Sequence, residues 1–222
     1  PVTDAFRARR SGRRIGAAAT AVALIAASLV AVVVVRANDH QAARQVLTTP
    51  PPASGLILPP APLAARTGMV SAWTGTSWLV WGGAGDRSQV FADGAAYDPV
   101  LRRWRTLPAA PLSPRHDSAS VWTGRQWLIV GGTIANGTFT KDGAAYDPAT
   151  GRWAPLPAAP IELGLAPTAV WTGTEMIADA GANVAIAAAA YNPTSGTWRT
   201  LPVPPGASAA GDPQAVWTGR QA

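Results

Sequence analysis

The chain has 222 residues, 48% of them hydrophobic and 14% charged, with 22 glycines, 21 prolines and no cysteine. That excludes a disordered polar polymer and a helical bundle, and it removes disulfides, thiolate metal ligands and cysteine nucleophiles. The net charge of +6 invites a nucleic-acid partner, but Arg7, Arg9, Arg10, Arg13 and Arg14 crowd into the first fourteen residues, so the remainder is close to neutral and no nucleic acid is expected.

Taken in chain order, residues 1–14 form a basic segment expected on the cytoplasmic side of a membrane. Ile15 to Val35 is a run of 21 residues without a charge. At about 1.5 Å of rise per residue it spans the roughly 30 Å hydrocarbon layer as one transmembrane helix. Arginines precede the span and only Arg36 and Arg44 follow closely, so the positive-inside rule predicts a single-pass plasma-membrane protein with its N-terminus inside and the rest extracytoplasmic. The alternative is a signal peptide cleaved after Ala37, which would secrete the protein. The apolar run exceeds the usual 7–15 or so residues of a signal peptide, which favours the anchor. Residues 36–57 lead into a Pro-rich stretch that predicts an extended stalk. Leu58 to Arg66 (LPPAPLAAR) copies Leu107 to Arg115 (LPAAPLSPR), so the repeat domain is expected over 58–222.

Three sets of landmarks share one period there. Trp73, Trp122 and Trp171 recur every 49 residues within WTG, Tyr97, Tyr146 and Tyr191 at 49 and 45, and Trp104, Trp153 and Trp198 at 49 and 45. A period near 50 with strand-sized apolar runs marks a repeat array of β-rich units. Each copy predicts four short strands, in the clearest copy SASVWTG, QWLIVGG, GAAYDP and RWAPLP. The last two are joined by Asp147-Pro148-Ala149-Thr150-Gly151, where Pro presets φ and Gly supplies a left-handed residue. Arg102 stands where that glycine is expected in the first copy, which predicts a looser hairpin.

The pattern resembles the kelch repeat family. Gly82-Gly83 and Gly131-Gly132 match its double glycine after the second strand, and the three Tyr and fourth-strand Trp match its third and fourth strands. In the third copy Ala180-Gly181 replaces the double glycine and Met176 stands where Trp78 and Trp127 stand. The resemblance implies an all-β, kelch-type β-propeller, with blades at about 67–115, 116–164 and 165–210 and the start of a fourth at 211–222. The period breaks off within that copy, so further blades are expected beyond Ala222.

The landmark tryptophans are expected to pack between blades, because every copy carries them whereas a binding site needs only one set. Trp81 is not repeated, with Val130 and Asp179 at the matching positions, and is a binding candidate beside its packing role. Arg66 and Arg115 precede the first strand at equivalent positions, where Gly164 and Ala210 stand later. The resemblance implies channel-mouth arginines that grip acidic groups; solvated loop arginines, or a pair with Asp117, are the alternative. His116 beside them is a weaker candidate, since no serine or cysteine partner motif accompanies it. No catalytic residue, metal or cofactor is expected. Asp93 and Asp142 precede the third strand without metal-ligand spacing. The expected function is non-catalytic binding of a protein or glycan in the cell envelope. The alternatives are a propeller enzyme, galactose oxidase-like or sugar-modifying, and a transmembrane sensor with a cytoplasmic part before Pro1. The copper-radical oxidase chemistry needs a cysteine, which this stretch lacks.

Overall fold

The computed structural model describes residues 58–182, 184–185, 187–202 and 217–219. They belong to a compact unit, Leu58–Ala222. The segments read as basic, transmembrane and stalk lie outside the described residues. No helix among the described residues is long and apolar enough to cross a membrane.

The described residues are all-β, apart from a single 3-10 turn at Asp86–Ser88. Twelve strands follow in order: β1 Val70–Trp73, β2 Trp78–Trp81, β3 Gly94–Asp98, β4 Arg103–Thr106, β5 Ala119–Trp122, β6 Trp127–Val130, β7 Gly143–Asp147, β8 Arg152–Leu156, β9 Ala169–Trp171, β10 Met176–Asp179, β11 Ala188–Asn192 and β12 Thr197–Leu201. They form three four-stranded antiparallel sheets, β1-β2-β3-β4, β5-β6-β7-β8 and β9-β10-β11-β12. Each sheet is an up-and-down meander, and the first strands of successive sheets adjoin, β1 with β5 and β5 with β9. This is consistent with a β-propeller-like fold. Residues 217–219, in the expected fourth copy, carry no strand.

Register explains why the landmarks share a period. Trp122 pairs with Trp127, Trp127 with Tyr146 and Tyr146 with Trp153, so one row of aromatics crosses the sheet from edge to edge. The first sheet repeats the row as Trp73, Trp78, Tyr97 and Trp104, and the third as Trp171, Met176, Tyr191 and Trp198. The outer Tyr and Trp rings sit 4.9–5.1 Å apart in all three sheets.

Strand alternation sends the two faces of the second sheet in opposite directions. Trp127, Ile129, Ala144 and Tyr146 pack with Val70, Leu79, Trp81 and Leu107 of the first copy. Leu128, Val130 and Ala145 pack with Met176, Ala178 and Tyr191 of the third. All four residues of β6 are therefore buried. Each fourth-strand tryptophan also reaches the preceding copy: Trp153 Nε1 donates to the Pro108 carbonyl at 3.0 Å, Trp198 to Pro157 and Trp104 to Pro59, both at 2.9 Å. The prolines of the LP motifs at Pro59, Pro108 and Pro157 thus each place an acceptor for the indole of the sheet that follows.

The first hairpin is not looser than the others. Asp98 Oδ1 accepts from the Val100 and Leu101 amides, both at 2.9 Å, and Asp147 Oδ1 accepts from Ala149 and Thr150 at 2.9 and 3.4 Å. Arg102 takes the left-handed conformation, φ 51°, that Gly151 and Gly196 take at 68° and 66°. The aspartate cap and the closing strand pair impose the turn against the residue's own preference.

The indole bond is testable. Trp153→Phe keeps the ring stack and removes the donor, and is expected to lower unfolding free energy in urea by about 1 kcal/mol with an unchanged m-value.

Candidate functional site

In an up-and-down meander the connection between strands two and three and the connection into the next sheet emerge at the same end. That end gathers Arg66, Asp93, Arg115, His116 and Asp142, and backbone bonds knit it together. Thr67 and Ala84 exchange amide bonds at 2.8 Å, and His116 and Thr133 do so at 3.0 and 2.8 Å. The Arg115 backbone bridges back to the first copy, receiving the Gly83 amide at 2.9 Å and donating to the Phe91 carbonyl at 3.1 Å. Gly82 and Gly83 have φ of 70° and 103°, and a Cβ on either would lie 2.8 Å from a backbone oxygen, that of Arg115 or Thr67. The double glycine is thus required both by conformation and by the close approach of the incoming chain.

Both arginines turn inward, so neither is placed to grip a partner's acidic group from solution. Arg115 is 1% exposed. Its Nε donates to Ser113 O, and its terminal nitrogens bond Gly131 O, Thr140 Oγ1 and both carboxylate oxygens of Asp142, at 2.7 and 2.9 Å. Arg66 repeats the device: it bonds Ala64 O, Gly82 O and Asp93 at 2.7 Å, and lies over the Phe91 ring at 4.1 Å. The partner of each is the aspartate just before the third strand rather than Asp117. The guanidinium fork satisfies the carbonyl of the double-glycine turn and holds the carboxylate bidentately. What faces solvent is the acid: the side chains of Asp93 and Asp142 are 56% and 51% exposed. The Arg115 hydrogen bonds hold the Asp142 carboxyl below the usual range, against the opposing effect of burial, so it stays ionised at neutral pH.

A signal for these pairs lay in the sequence. Asp93 and Asp142 recur at the spacing of Arg66 and Arg115, and both partners are lost together in the third copy, where Gly164 and Ala187 stand.

His116 Nδ1 donates to Asp117 Oδ2 at 2.8 Å, and both side chains are about three-quarters covered. Asp117 has φ 52°, matching Gly68 at 61° and Ala166 at 49°, and its amide bonds the Gly68 carbonyl of the preceding copy. The pair therefore occupies a joint between copies. Trp81 is 1% exposed in the apolar layer between the first two sheets, with its ring 6.1 Å from that of Trp153, and it belongs to the core. Asp179, its counterpart in the third copy, instead caps backbone by accepting from the Thr168 and Gly181 amides, and it also accepts from the Thr168 hydroxyl. Among the described residues no group of three or more metal-ligating side chains converges.

This end of the domain thus presents half-exposed carboxylates backed by buried guanidinium groups. Such carboxylates accept hydrogen bonds from hydroxyls and ammonium groups, and they repel acidic partners. No protein-family model matches the chain, and no curated protein matches it either.

Removing buried Arg115 leaves a void, takes the bidentate partner from Asp142 and leaves the Gly131 carbonyl with only the Ser118 hydroxyl, so Arg115→Ala is expected to cost roughly 2 kcal/mol or more in urea unfolding. Arg87→Ala, at an exposed turn, is expected to stay within about 0.5 kcal/mol. The lowered pKa of Asp142 adds a pH signature. Its contribution is present above the ordinary carboxylate value of 3.8 and is lost as pH falls through the lower folded value. Asp142→Asn is expected to flatten stability against pH in that acid window. An unchanged slope would separate the pair from stability.

Proposed function

We propose that the chain is a kelch-like propeller module, held outside the membrane by residues 15–35, that binds a protein or glycan of the cell envelope without catalysis. One observation carries the reading: two consecutive copies hold an aspartate at the same end of the domain, each fixed by a buried arginine and each half exposed. Fixed carboxylate acceptors suit recognition because little side-chain freedom remains to be lost on binding. The spacing of the double glycines, tyrosines and tryptophans supports the kelch-like part, and the meander sheets with adjoining first strands support the propeller. The partner chemistry favoured at this end is hydroxyl-rich or cationic rather than acidic.

The test is capture from envelope extract by the complete ectodomain and by its Asp93→Asn/Asp142→Asn variant, with thermal midpoints measured alongside. Capture is expected to fall by about tenfold or more in the variant while the midpoint shows it still folded. Prior protease or periodate treatment of the extract distinguishes protein from glycan. Equal capture by a folded variant would refute this site. Protease digestion of the domain only after lysis of intact cells would refute the topology.

A further inference from the structure

The opposite end of the first sheet holds an open hollow of about 280 Å³, lined by Ser77, Ala96, Asp98, Arg103, Trp104 and Arg105. The internal repeat shows what fits there. In the third sheet the position equivalent to Ser77 is Glu175 and that equivalent to Arg105 is Arg199. Glu175 reaches across Ala190 to Arg199 in a bidentate pair, Nε to Oε1 at 3.2 Å and a terminal nitrogen to Oε2 at 2.7 Å. The register is the same in both sheets: Arg105 lies opposite Ala96 and Arg199 opposite Ala190. With Ser77 in place of glutamate, the first sheet keeps the cation and the path over alanine but lacks the acid.

Charge follows the same comparison. Among the described residues neither Arg103 nor Arg105 is paired with a carboxylate. Asp98, which spends Oδ1 on two turn amides, offsets one of them, leaving a surplus of one positive charge. The third sheet has neutral Asn192 and Thr197 at those two positions, and Glu175 cancels Arg199. Arg105 is also held in place: a terminal nitrogen donates to the hydroxyl of fully buried Tyr146 at 3.2 Å. The second sheet, with Gln126 and Ala154, has neither acid nor cation there.

We propose that the hollow is a binding site for a glutamate side chain of a partner protein, taking the place that Glu175 fills in the third sheet. The glutamate form is favoured over a sugar acid because the occupant the fold itself supplies at the equivalent place is a glutamate. In the third sheet that carboxyl is held below its usual range by the Arg199 hydrogen bonds. The proposal deepens the reading of the domain as a binding module by naming a partner class for a second surface, and the two fail separately. Peptide binding without capture from extract would refute the module alone, and capture without peptide binding would refute the hollow alone.

The experiment titrates the full chain in detergent with acetyl-Gly-Glu-Gly-amide, following the arginine Nε–H resonances. Arg105 is expected to shift saturably while Arg199, already occupied, stays still. The Gln counterpart of the peptide is expected to move neither. Ser77→Glu is expected to abolish the Arg105 response by supplying the acid internally, and Glu175→Ser to make Arg199 respond, opening a second hollow. An equal response to the Gln peptide, a persisting Arg105 response in Ser77→Glu, or no gained response in Glu175→Ser would overturn the proposal. Saturation by glucuronate at about tenfold lower concentration than the Glu peptide would overturn the protein partner in favour of a glycan.

Discussion

A four-stranded sheet with apolar side chains on both faces is stable only if something covers both faces, and that constraint governs the rest of this domain. The second sheet meets it by lying between its neighbours, with Trp127 and Ile129 turned one way and Leu128 and Val130 the other. Burial is not directional, so it does not by itself fix how far one sheet slides over the next. Directional bonds do that: the indole-to-proline bond at the outer edge, and the Arg115 backbone bonds to Gly83 and Phe91 near the inner one. Between them lies the aromatic row.

The polar chemistry follows from this packing. Alanines fill the third strands where neighbouring sheets press on them, as at Ala96, Ala144, Ala145 and Ala189. The incoming chain presses on the double glycine, so the Gly131 carbonyl there is buried and needs donors, which Arg115 and Ser118 provide from the connection itself. An arginine committed to that task requires a counter-charge, and Asp142 supplies it at the point where the strand returns to solvent. The acid face is thus the outward side of an interaction whose inward side serves the fold.

The strands were legible because period-two alternation, turn residues and aromatic landmarks agree in each copy; β5 to β8 fall within the four runs expected of them. The aromatic row was half legible. Its members were visible as repeats, but that Trp122, Trp127, Tyr146 and Trp153 are cross-strand neighbours depends on register, which sequence spacing alone leaves open. The direction of Arg66 and Arg115 was not legible. An arginine before a strand suits a solvated mouth as well as a buried fork, and the choice rests on a glycine carbonyl 16 residues away along the chain. Arg102 misled for a related reason, since its left-handed conformation is set by the Asp98 cap rather than by its own preference. The hollow beside Arg105 was not legible either, because what marks it is a residue the third copy has and the first does not, at a place set by strand register.

The aromatic row has a further consequence in optics. The rings of Trp78 and Trp104 are 5.7 Å apart and inclined at 51°, those of Trp127 and Trp153 6.5 Å apart at 38°, and each outer Tyr–Trp pair lies at 41° to 46°. Chromophores this close, neither parallel nor perpendicular, couple their electronic transitions and split them into bands of opposite circular dichroism. Because each row runs across one sheet, the couplet reports strand pairing within a copy. The Trp81–Trp153 pair, at 6.1 Å and 57°, instead joins two copies and reports their stacking. The domain thus carries separate intrinsic reporters for the folding of its sheets and for their assembly.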